Sequence, residues 1–150
     1  MSVQETMKEI IRNHELMSFA TIDENGIPTV RGIDYTVGDA DNVLYFMSRK
    51  ASRKISHIRN NPAVGFAIVR ECPNPQELAR AKFLKGTGEA FVIDDMEEAK
   101  KASVLVLKRY PFMVNLPGYP SEFVCVRLEM KNVLVSDHTV GVGHIEEVNF

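Results

Sequence analysis

The chain has 150 residues, 45% of them hydrophobic and 25% charged, with a formal net charge of −2 and an isoelectric point near 6.1. That size and composition fit one globular domain, residues 1–150, with room for a real core; the mildly acidic balance argues against bulk nucleic-acid binding, which favours a basic surface. No apolar stretch approaches the length of a membrane span, and Met1-Ser2-Val3-Gln4-Glu5 is not a signal peptide. The only two cysteines, Cys72 and Cys125, stand in no metal-ligand spacing, so a cytoplasmic protein with reduced thiols is expected, Cys125 in its core.

Val3, Met7, Ile10 and Ile11 recur at helical spacing and predict an opening amphipathic helix over 3–14. Phe19 to Ile22 reads as a strand closed by the hairpin signal Asp23-Glu24-Asn25-Gly26. A return strand, Thr29 to Val37, and a third, Val43 to Met47, flank the turn at Gly38–Asn42. A short helix follows and ends at Asn60-Asn61-Pro62, because proline forces its predecessor out of helical geometry. Ala63 to Val69 is a buried strand, and Glu71 to Leu78 is a loop.

Ala81 to Ile93 reads as a long strand bent at Gly86 and Gly88. Asp94 or Asp95 then caps a helix to Leu107, with Met96, Ala99, Val104 and Leu107 inward. An irregular stretch, 110–120, leads to two closing strands, Phe123–Glu129 and Asn132–Ser136. Hairpin-like connections dominate, so the expected fold is mainly β (α+β): an antiparallel barrel of six or seven strands with flanking short helices.

The stretch most charged with chemistry is Ser48 to Pro62. It places Arg49, Lys50, Arg53 and Lys54 where an apolar strand gives way to a helix with Ser52 at its N-cap and Ile55 and Ile58 on its buried side. The first amides of such a helix have no internal partner, and its dipole end is positive. Cations there oppose the dipole, and a bound phosphate resolves the conflict. Arg31, on the neighbouring strand, is placed to reach the same anion. A flat ring attached to it would lie along the main chain of Gly32, Ile33 and Asp34 on one side and of Met47 and Ser48 on the other. Arg49 and Lys50 read as surface charge.

Other chemistry is thinly represented. No phosphate-binding loop or dinucleotide fingerprint is present. Asp94-Asp95 and Glu97-Glu98 sit at a helix start, where acidic residues cap and complement the dipole. His138 and His144 flank Val140-Gly141-Val142-Gly143 without acidic or cysteine ligands at telling spacing, so no metal site is assigned. No residue stands out as a catalytic acid, base or nucleophile.

The hairpin Ala20-Thr21-Ile22-Asp23-Glu24-Asn25-Gly26-Ile27-Pro28, Arg31 on the next strand, Leu44-Tyr45-Phe46-Met47-Ser48, the run Ser52-Arg53-Lys54-Ile55-Ser56-His57-Ile58-Arg59-Asn60-Asn61-Pro62-Ala63-Val64 and Gly88-Glu89-Ala90 together resemble the pyridoxamine 5′-phosphate oxidase-like FMN-binding split barrels. The likeness covers about 5–135 and is strongest over 17–70. It implies a homodimer with FMN between subunits, the phosphate held by Ser52, Arg53 and Lys54 with Arg31 nearby, and the flavin lined by Gly32, Ile33, Asp34, Met47 and Ser48.

Where the oxidase proper carries an arginine-bearing tail, this chain ends 136–150 without arginine, and the family's lysine and glutamine fall at Thr36 and near Phe83. The resemblance therefore points away from vitamin B6 oxidation and towards small general-stress or nitroimidazole-resistance flavoproteins. The implied function is an FMN-dependent oxidoreductase on a small molecule. The alternatives are a flavin-binding protein without turnover, or a deazaflavin- or haem-binding member of the fold.

Overall fold

In the computed structural model, which describes all 150 residues, Ser2 opens the first helix with a reciprocal cap. Glu5 N donates to its Oγ at 3.1 Å, and its own N donates to the Glu5 carboxylate at 2.7 Å. Helix α1 (Val3–Arg12) then turns Met7, Ile10 and Ile11 into the core. The strands that follow are β1 (Leu16–Ile22), β2 (Pro28–Asp34), β3 (Thr36–Val37) and β4 (Val43–Arg49). Helix α2 (Arg53–Asn60) precedes β5 (Ala63–Ile68) and β6 (Lys82–Val92). Helix α3 (Met96–Arg109) precedes β7 (Phe123–Asp137) and β8 (Ile145–Asn149).

All pairings are antiparallel, in the order β2-β1-β5-β6-β7-β4-β3 with β8 added on β7. Strands β2 and β3 are the two ends of this order, yet only Tyr35 separates them in the chain, so the sheet curls until its edges meet there. Tyr35 is fully buried. Its carbonyl, outside both ladders, accepts from Tyr110 Oη at 2.6 Å and Arg109 Nη1 at 2.7 Å. Its own hydroxyl donates to Ile11 O at 2.6 Å.

The expected pairing of a Thr29–Val37 strand with Val43–Met47 therefore holds only at Thr36↔Tyr45 and Val37↔Leu44. The first half of that strand pairs instead with β1, from Leu16↔Asp34 to Ile22↔Pro28. The structure is the expected antiparallel split barrel with flanking helices, and it has eight strands. Against the seven strands read from the sequence, the crossing at Tyr35 adds one, β8 adds one, and fusion of the two expected over 123–136 removes one.

The two closing strands expected over 123–136 are one strand. Thr87 faces Asn132 and Gly88 faces Met130, so Lys131 is an extra residue that bulges without turning the chain. The closing hairpin partner is β8, in register from Ser136↔Ile145 to Asn132↔Asn149, and it places Val148 in the core.

Helix α3 starts where expected, with Asp95 accepting from Glu98 N at 2.9 Å. Its buried stripe is Ala102 and Val106, with Ala99 and Leu107 partly covered; Met96 and Val104 are exposed. The stripe centred on Ala102 and Val106 lies roughly a quarter turn round the helix from the expected one, so Met96 and Val104 face outwards.

One main core fills the barrel, with Phe19 and Phe46 edge to face at 5.2 Å. Ile55 and Ile58 of α2 join it as their spacing predicts. A smaller cluster under α3 contains Tyr45, Ile93, Val106, Tyr110, Met113 and Cys125. No helix is long and apolar enough to cross a membrane.

Candidate functional site

Along β2 the more buried face carries Thr29, Arg31 and Ile33, and the exposed face carries Val30 and Gly32. Arg31 thereby turns towards β1. Its Nη1 donates to Phe19 O at 3.2 Å and to Thr21 Oγ1 at 2.8 Å, and its Nη2 donates to Thr29 Oγ1 at 2.7 Å. Three of the five N–H groups of the guanidinium are thus engaged and the rest remain available.

Helix α2 supplies the second cation. Lys54 is half-buried, and its Nζ donates to Ser52 Oγ at 2.9 Å. Ser52 has N-cap geometry, but its hydroxyl accepts from this side chain and caps no backbone amide. The first turn holds no acidic residue. The helix start is therefore left with free donors and a positive dipole end.

Charge sharpens the picture. Burial lowers Lys54 below the usual lysine range, the Arg31 charge lowers it further, and Asp34 opposes both. Burial likewise lowers Arg31. Asp34 is raised by its own burial, against a backbone hydrogen bond and the Lys54 charge. Arg31, Asp34 and Lys54 thus feel one another, yet no carboxylate lies within ion-pair distance of Arg31, Arg53 or Lys54. Arg53 is exposed on the same first turn.

The remaining candidates divide. Gly32 is exposed, with nothing within 4 Å of the place a Cβ would occupy. Ile33 buries its side chain in the main core, so only its main chain faces outwards. Ser48 is buried and donates to Arg49 O at 3.0 Å.

Met47, next in the strand, points to the opposite face and packs on the cluster under α3. It lines a cleft of about 630 Å³ with Ile93, Leu107, Met113, Val124 and Cys125, while Lys50 and Arg59 are among the cleft's polar groups. Neither Arg31 nor Lys54 reaches that cleft. The cleft, lined in part by β4, and the cluster of Arg31 on β2 with Lys54 on α2 are separate features, and the latter holds the two partly buried cations.

Arg49, expected as surface charge, ties β4 to the segment after α3. It donates to Pro117 O at 2.7 Å, stands 3.7 Å from the Glu122 carboxylate and covers the Phe123 ring at 4.8 Å. Lys50 makes no ion pair. His138 Nδ1 donates to Leu78 O at 2.6 Å and the ring packs on Phe83, whereas His144 faces Glu146 at 3.3 Å. No group of three or more His, Cys, Asp or Glu side chains is placed to hold a metal ion. Thr21 and Thr29, which meet Arg31, and His57, which meets Thr21, were given no role from the sequence; the inward parity of Thr21 in an apolar strand was their only trace.

The family model described as pyridoxamine 5′-phosphate oxidase matches residues 3–136. The chain belongs to that family. The match contains every candidate residue from Arg31 to Lys54 and stops before β8. A search of curated proteins found no match.

Among solved structures, the family fold recurs in a heme binding protein from Mycobacterium smegmatis (TM-score 0.80, 17% identity, 99% of this chain and 58% of that one). It recurs in a NimC/NimA family protein from Clostridium acetobutylicum (0.71, 17%, 98% and 92%). A third example is HutZ, the heme storage protein from Vibrio cholerae (0.70, 18%, 87% and 92%). The chain thus spans little more than half of the mycobacterial protein. At these identities the likeness is one of fold.

Proposed function

We propose that this family member binds FMN, its phosphate held by Arg31, Arg53, Lys54 and the first amides of α2, and acts as an FMN-dependent oxidoreductase on a small molecule. The observation that carries the reading is the pair Arg31 and Lys54: two partly buried cations that repel each other and face no ion-paired carboxylate. Burying unpaired charge is unfavourable, and a phosphate between them removes the penalty. The residues present fit the group.

The ring system would lie along the main chain at Gly32, Ile33 and Asp34 and at Met47 and Ser48, with Ser52 orienting Lys54. When bound, the flavin supplies the redox chemistry, and the protein supplies position and electrostatics. The exposed apolar residues Phe112, Val114, Leu116 and Tyr119, on the segment that rims the cleft under α3, favour a second subunit against that face. A haem in the same fold is the second reading, favoured by two structural neighbours named for haem.

The spectrum and mass of the chromophore that co-purifies separate the two, a flavin spectrum against a Soret band. For the phosphate, Arg53→Ala and Lys54→Ala should each weaken FMN binding by about 10- to 100-fold, since a charge-assisted contact contributes roughly 1.5–3 kcal/mol. Unchanged affinity in both variants would overturn the assignment. Bleaching of the flavin by NAD(P)H would support turnover.

A further inference from the structure

A polar relay crosses the barrel wall from α2 to β2. Thr21 occupies an inward position of β1 and is fully buried, and His57 lies on the inner side of α2 at 7% exposure, between Ile55 and Ile58. His57 Nδ1 is 2.9 Å from Thr21 Oγ1. Arg31 Nη1 donates to that same oxygen at 2.8 Å, and Thr29 Oγ1 stands 3.2 Å from it. Thr29 Oγ1 in turn accepts from Arg31 Nη2, and Phe19 O accepts from Nη1.

A hydroxyl has one proton and two acceptor positions. With one acceptor position of Thr21 taken by Arg31, the imidazole at Nδ1 fixes the rotor from the other side. A buried hydroxyl left unmatched in this core would be costly, so the two contacts hold each other in place. Their joint product is an arginine whose long side chain has lost its freedom before any ligand arrives. Ordering such a side chain at binding time would otherwise weaken the complex.

We infer that Thr21 and His57 are positioning residues that hold Arg31 aligned for the ligand's phosphate and so set the preference of the site for FMN over riboflavin. The inference rests on the FMN reading above. A merely structural role would lower stability and affect both ligands alike; a positioning role changes their ratio.

The test titrates FMN, riboflavin and inorganic phosphate into the wild type, Thr21→Val, Thr21→Ser and His57→Leu, with thermal melts as a folding check. The isosteric Thr21→Val should weaken FMN and phosphate by about tenfold, the worth of one hydrogen bond to a charged group, and leave riboflavin unchanged. His57→Leu should act in the same direction, and Thr21→Ser, which keeps the oxygen, should restore the wild-type ratio. If FMN binds the wild type and Thr21→Val leaves the FMN-to-riboflavin ratio intact, the relay is wrong and the FMN reading stands. If phosphate binds but FMN does not, the FMN reading falls and the relay is judged on phosphate. If neither binds, the site holds no anion and the relay's role falls with it.

Discussion

A methyl group built on Gly88 would lie 2.2 Å from the carbonyl oxygen of Glu129. The contact comes from the bulge at Lys131, which draws β7 tightly across β6 just where the register shifts. Backbone cannot move aside as a flexible side chain does, so Gly88→Ala should destabilise the fold by about 2–3 kcal/mol in urea melts. Gly32→Ala, where the space is open, should stay within about 0.5 kcal/mol of wild type. A Gly88→Ala protein as stable as wild type would remove the argument.

Lys54→Met keeps the side-chain length and discards a cation whose charge folding penalises. The ligand-free variant should melt about 1–3 °C higher than ligand-free wild type while losing most of its FMN affinity. Excess FMN should reverse the order, because it stabilises only the protein that binds it. Differential scanning calorimetry of both proteins, with and without FMN, reads all four values.

Tyr45 donates to the Glu98 carboxylate at 3.0 Å, and its hydroxyl is pushed up to about 12 from the ordinary 10.0, first by burial and then by Glu98. Between those two values the folded chain keeps a proton that the unfolded chain has released. Stability must therefore fall as pH rises through that window. Tyr45→Phe should lower stability by about 1 kcal/mol at neutral pH, through the lost hydrogen bond, and make the alkaline decline shallower. Burial raises Tyr35 and Tyr110 as well, so part of the decline should persist.

The two thiols should behave differently. Cys125 is 7% exposed, and burial pushes it up to about 11, leaving almost no thiolate at neutral pH; Cys72 is half-exposed in the segment between β5 and β6. A maleimide should label one site per native chain, and peptide mapping should place it at Cys72. Labelling of both at equal rates would show that the cluster under α3 opens readily.

Charge placed against a helix dipole is visible without a structure, which is why Ser52, Arg53 and Lys54 at the start of α2 stood out in the sequence, with Arg31 named beside them. So were α1 and the buried side of α2, whose apolar spacing is regular. What stayed hidden depends on contacts between distant segments. The crossing at Tyr35 is held by Arg109 and Tyr110, more than seventy residues away in the chain. Strand β8 shows one buried residue, Val148, among Glu146, Glu147 and Asn149, too little alternation to announce a strand. The place of Met47 on the outer face follows from the register Met47↔Cys125, which no local pattern sets.

The place of β7 in the sheet also bears on how the protein is made. It is the only strand linking β6 to β4, and it follows every candidate site residue in the sequence. A nascent chain that has already emerged past Lys54 therefore carries the cations and the helix start but not the partner that aligns β4 beside them. On the proposed FMN reading, cofactor capture during synthesis must wait until β7 has left the ribosome. Until then β4 and β6 each present an unpaired edge open to association with other chains.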